Sequence, residues 1–130
     1  MLKYLLIIHG RLDNLNDYIG ACRKNAYVGA RVKAKNEAIV LSEISQQLRG
    51  LKINNPVVVN YSWYEVNKRR DLDNISSFGR KVIQDALVKS GVLNNDGWRD
   101  IVGFSDRFFE DKENPRIIVE IEEVEGMIKE

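Results

Sequence analysis

Two rhythms of hydrophobic residues run along this chain, one of period two and one of three to four, and their order sketches a fold. Residues 2–8 form a compact apolar run of strand length, broken by His9, Gly10 and Arg11. The following LDNLNDYIGACRKN, rich in Asn and Asp, predicts a loop turning into a short helix. Over residues 33–49, Ala34, Ala38, Leu41, Ile44 and Leu48 recur at threes and fours, predicting a helix that Gly50 ends. After Pro56, the residues Val57, Val59, Tyr61 and Trp63 alternate with smaller or more polar neighbours, as in a half-buried strand. Another helix is predicted to begin near Asn74, capped by Asp73 or Asn74 and closed by Gly91. Its apolar stripe is Ile75, Phe78, Val82, Ile83, Ala86 and Leu87, and Ser77, Lys81 and Asp85 form the polar face. Two more strands, roughly 100–109 and 116–124, flank a polar FEDKENP segment that suits a hairpin loop or a longer excursion. The order β-α-α-β-α-β-β predicts an α+β fold, a mixed β-sheet with helices packed against it. The last few residues are expected to fray.

Composition narrows the function. A chain of 130 residues supports one domain, here 1–130. The longest apolar run is far too short to span a bilayer, so no membrane association is expected, and the first residues do not read as a secretory leader. Cys22 and His9 are the only residues of their types, which removes intrachain disulfides and two-histidine metal centres and fits a reducing cytoplasm. Net charge is only +1, yet residues 110–130 carry eight acids against three bases, leaving the first 109 residues at +6. Basic groups cluster at Arg23 and Lys24, at Arg31, Lys33 and Lys35, and at Lys68, Arg69 and Arg70. Such clusters neutralise phosphates or are simply solvated faces.

The chemistry concentrates between Arg69 and Asp96. Asp71 and Asp73 flank Leu72; in an extended piece their carboxylates converge on one face. Two carboxylates about 5 Å apart repel by roughly 3 kcal/mol at an effective dielectric near 20, so the pair calls for a cation, a proton or an arginine. The cluster is therefore a metal site or a salt-bridged helix start. As a metal site it suits Mg²⁺, which takes one or two carboxylates plus substrate phosphate. Asp96 would be returned to the helix's polar side by the Ser90–Gly91 break, where Lys81 could stabilise phosphate charge. The plainer readings are a helix cap for Asp71 and Asp73, an i,i+4 surface pair for Lys81 and Asp85, and a turn for Asn95, Asp96 and Gly97.

Arg70-Asp71-Leu72-Asp73-Asn74, then Lys81 with Asp85-Ala86-Leu87, then Gly91 and Asn95-Asp96 resemble the RusA family of Holliday junction resolvases, small homodimeric endodeoxyribonucleases frequent in prophages. Leu15-Asn16-Asp17-Tyr18 is similar to the segment after the family's first strand. The resemblance implies Mg²⁺-dependent cleavage with Asp71, Asp73 and Asp96 as essential acids and metal ligands, and Lys81 as the essential lysine. Counted forward from Asp71 by the family's spacing, the lysine would fall at Ser77; counted back from Asp85, it falls at Lys81, with Arg80 as a stand-in. Asn95 stands where the family often has a second aspartate, offering a carbonyl without charge. The implied activity is the resolution of four-way junction DNA in recombination and repair. A homodimer would present one acidic cluster to each of two opposing strands. Lys68, Arg69, Arg70, Arg23, Lys24, Lys33 and Lys35 would hold the backbone without reading sequence. The alternatives are a nucleic-acid-binding module without nuclease activity and a general Mg²⁺-dependent nuclease. Trp98, just after the acidic cluster, reads as a core residue, with a wedge at the junction centre as the other reading.

Overall fold

The long alternating strand organises the molecule. In the computed structural model, which describes residues 2–124, β2 (Val57–Glu65) alternates buried and half-buried positions along its whole length. Its neighbours are β4 (Arg116–Glu123), antiparallel on one side, and β3 (Ile101–Glu110), parallel on the other. β1 (Lys3–His9) completes the sheet antiparallel to β4, giving the order β1-β4-β2-β3. Leu6 and Ile8, Val57, Val59, Tyr61 and Trp63, and Ile117, Val119 and Ile121 share one face and form a single buried core with the helices.

The parallel β2–β3 pair demands a crossover, and α3 (Leu72–Lys89) supplies it. Its stripe of Ile75, Phe78, Val82, Ile83, Ala86 and Leu87 is buried as the periodicity predicts. Gly50 and Gly91 adopt positive φ at the ends of their helices. Among the described residues no helix is long and apolar enough to cross a membrane. The expected fraying of the chain's end lies outside the described residues.

One alternative is decided and two expectations are corrected. Segment 111–115 is not a hairpin loop but the longer excursion, because β2 lies between β3 and β4. The second long helix, α2 (Ala26–Gln47), starts well before residue 33, and a single residue, Asn25, separates it from α1 (Leu15–Lys24). Asn25 is extended there, and its side chain accepts from the backbone N–H of Val28, capping α2 as α1 ends. Finally, α3 begins at Leu72 with Asp71 in the N-cap position, so Asp71–Leu72–Asp73 is not an extended piece.

The two edges of the sheet differ. Along β1, the Gln47 side chain donates to the carbonyl of Ile7 and accepts from its N–H, while Glu43 accepts from the N–H of His9. Helix α2 thus occupies the outward backbone groups at the Ile7–His9 end of that edge. Among the described residues nothing pairs with the outer edge of β3.

Candidate active site

The basic run and the acids sit where β2 hands over to α3. Lys68 and Arg69 are exposed and form no ion pair among the described residues. Arg70 turns inward: its guanidinium lies 3.7 Å from the buried Glu65 carboxylate, which Arg11 also engages at 3.2 Å. Asp71 follows as N-cap, yet its carboxylate makes no capping hydrogen bond. Asp73 stands one residue inside the first turn, also exposed, and neither carboxylate has a side-chain partner among the described residues. Helix start and free carboxylates coexist here, a combination that the capping explanation of the pair does not require.

Helix α1 braces this end of α3. The Asn74 side chain accepts from the backbone N–H of Asn16 at 2.9 Å, and the Tyr18 ring stacks on Phe78 at 4.5 Å. Asn14 and Asp17 close a capping box that fixes where α1 begins. Asn16, Tyr18 and Asn74 thus hold the segment that presents the two aspartates.

Lys81 occupies a second, more crowded locus farther along α3. Its ammonium lies 3.2 Å from Asp85 and 3.6 Å from Asp96, so the turn after Gly91 does return Asp96 to the helix's polar side. The hydrogen bond to Asp85, reinforced by the charges of Asp85 and Asp96, raises the Lys81 pKa and keeps the group cationic. Asp85 also receives Lys33 from α2 at 2.8 Å. Burial alone would push the Asp85 carboxyl up, but the hydrogen bonds from Lys33 and Lys81 outweigh it and its pKa is lowered. Asn95 uses its side-chain oxygen to accept from the N–H of Asp96 at 2.8 Å, which fixes the turn and leaves that oxygen turned to the backbone.

The remaining candidates sort by what already holds them. Arg80 points away from Lys81, donating to Asp106 at 2.6 Å with its guanidinium over the Phe104 ring. Asp106 in turn accepts from the Trp63 indole at 2.9 Å. Ser77 donates to the carbonyl of Asp73 at 2.6 Å, inside its own helix. Lys35 pairs with Asp13, and Lys33 is committed to Asp85. Arg23 and Lys24 are exposed in the last turn of α1 and form no ion pair among the described residues. Trp98 is 96% exposed, which corrects the core reading: Trp63 fills the core instead.

The acids do not form one cluster. Among the described residues no three His, Cys, Asp or Glu side chains are grouped to hold a metal ion. Asp73 and Lys81 are eight residues apart on one straight element, about 12 Å along its axis, and Asp96 is on the Lys81 side. Asp71 and Asp73 by themselves fit a cation that keeps most of its waters and takes one or two protein carboxylates. Sequence reasoning missed the inter-element partners, Lys33 for Asp85 and Asn16 for Asn74, because nothing in spacing reports which helix packs on which.

A family model described as endodeoxyribonuclease RusA matches residues 15–122, most of the chain. No curated protein matches it.

Proposed function

The chain belongs to the RusA family of endodeoxyribonucleases, and from that premise we propose that it resolves four-way DNA junctions by paired, symmetric, Mg²⁺-dependent nicks, acting as a homodimer in recombination and repair. The observation that carries this reading is the division of charges on α3. Asp71 and Asp73 are exposed and unengaged, while Lys81 is held as a cation between Asp85 and Asp96. Two free carboxylates are where a divalent ion would be held. A fixed ammonium is what a phosphate in transition needs.

The bound ion would lower the pKa of a water and polarise the phosphoryl group. The chain's own residues do the rest. Lys68 and Arg69 meet backbone phosphates beside Asp71, and Arg23 and Lys24 extend that contact from α1. Lys81 faces the phosphate whose charge grows during cleavage, its direction set by Asp85 and its charge guarded by that carboxylate. Asp96 joins Asp71 and Asp73 as an essential acid. Asp73 and Lys81 leave α3 about 12 Å apart and no three acids are grouped among the described residues, which supports a site composed across the dimer, with Asp71 and Asp73 of one copy meeting Lys81 and Asp96 of the other.

The test is cleavage of a labelled synthetic four-way junction with Mg²⁺, wild type beside Asp71→Asn. Symmetric paired nicks lost in the variant support the reading. Binding by both without cleavage, across Mg²⁺ and Mn²⁺, reduces the protein to a binding module. Equal cleavage of linear duplex makes it a general nuclease.

A further inference from the structure

Lys33 was expected to meet DNA phosphates, yet the fold turns it towards its own chain. Its ammonium crosses from α2 to α3 and lies 2.8 Å from Asp85 Oδ2. The other carboxylate oxygen, Oδ1, faces Lys81 at 3.2 Å. One turn farther along α2, the buried Glu37 stands 3.9 Å from the same Lys33 ammonium. Glu37 also receives Lys89 from the last turn of α3. Lys89, Glu37, Lys33, Asp85, Lys81 and Asp96 therefore form a row of alternating charge stitched across the contact of the two helices.

Two properties of this row bear on Lys81. The first is direction. The Lys81 side chain is 59% exposed on a flexible stem, and an exposed i,i+4 pair is by itself a weak hold. Asp85, only 16% exposed, is gripped from a different helix, so the oxygen that it offers Lys81 keeps its place. A site residue holds its geometry when its partner is itself held. The second property is charge. With Lys33 in place, three cations face three carboxylates; without it, Asp85 would be left to Lys81 and the row would be net negative where a phosphate must approach. Lys33 could reach a backbone phosphate only by leaving Asp85 and the buried Glu37, a costly exchange.

We propose that Lys33 is a positioning residue for cleavage: through Asp85 it fixes the Lys81 ammonium and keeps it available to the phosphate, and it does not itself contact DNA. The proposal rests on the nuclease reading above and names the residue that supports its lysine.

The experiment is single-turnover cleavage of the labelled four-way junction at saturating protein with Mg²⁺, beside junction affinity in EDTA at several salt concentrations. Wild type is compared with Lys33→Met, Lys33→Arg, Asp85→Asn and the double variant Lys33→Met/Asp85→Asn. Lys33→Met is expected to slow cleavage about ten- to a hundredfold, the scale of losing a partner that orients a site residue. Affinity and its salt slope should stay at wild type. Lys33→Arg, which returns a cation to Asp85, should recover most of the rate. The double variant should be no slower than Asp85→Asn, because Lys33 acts only through that carboxylate. It leaves no unpaired carboxylate at residue 85, so it carries the test if Lys33→Met folds poorly. Weaker binding with a salt slope reduced by about one, at an unchanged saturated rate, makes Lys33 a phosphate contact and overturns the proposal. A double variant markedly slower than Asp85→Asn does the same. Cleavage by Lys33→Met at the wild-type rate overturns the proposal while the nuclease reading stands, and a wild type that cuts no DNA overturns both.

Discussion

Mixing two inactive variants should restore cleavage. The perturbations are Asp71→Asn and Asp96→Asn, each replacing a carboxylate by an amide of the same shape. Oxygens that bind one Mg²⁺ each lie about 2.1 Å from it and so within about 4 Å of each other. Asp73 and Lys81 leave the backbone of α3 about 12 Å apart along its axis, and among the described residues no three acids are grouped to hold one ion. If the missing reach is supplied by a partner, a mixed dimer has one doubly altered site and one intact site. At equal concentrations half of the dimers are mixed, so about a quarter of all sites are intact. The assay is cleavage of a labelled junction after co-refolding the two variants, with each variant alone as control. The expected result is about a quarter of the wild-type nicking rate, and products that are nicked rather than resolved, because each mixed dimer cuts one strand. If the subunits exchange and the mixture stays as inactive as its components, the composite site is refuted.

Other outcomes follow from charges and packing. Replacing Lys68 and Arg69 together by Ala should lower the slope of log affinity against log salt by about two. Arg70→Ala should instead destabilise the fold, since it removes a partner of the buried Glu65; chemical denaturation beside salt titration separates the two. Gly79→Ala places a Cβ 2.9 Å from the Trp63 ring, so an overpacking cost of about 1–3 kcal/mol should exceed the helix-propensity gain of about 1 kcal/mol, read as a lower urea midpoint. Asp85 is ionised more readily in the folded chain than in the unfolded one, so its contribution is full above the ordinary value of 3.8 and fades as pH falls through the lowered folded value. Asp85→Asn should therefore lose stability at neutral pH and show a shallower acid decline than the wild type in thermal melts.

What sequence alone revealed divides by range. β2 and the buried stripe of α3 were readable because a period of two or of three to four is written within the element itself. The start of α3 was misplaced because Leu72, its first residue, is exposed and adds nothing to the stripe. The first turns of α2 were missed because their one buried position is Gly29, which carries no apolar signal, and Asn36 and Glu37 farther along are buried polar residues. Asn36 is satisfied by Asp13, and Glu37 by Lys33 and Lys89, partners from elsewhere or from the helix's own surface. Strand order was unreadable at 111–115, since a short polar connection serves a hairpin and a step across β2 equally well. For the site, the residue types and the Lys81–Asp85 spacing were legible. The distance between the Asp71 and Asp96 loci was not, because it depends on where the turn after Gly91 packs.

The Gln47 and Glu43 side chains on β1 have a consequence for assembly size. A sheet with two open edges can recruit copies without end, and the product is a fibre. Here the His9 end of one margin is covered by its own helix, and β1 offers an incoming strand only its first residues. A strand approaching β1 would find no run of free backbone groups long enough to pair along its whole length. The limit on growth at this margin is set by a glutamine and a glutamate far from the chemistry.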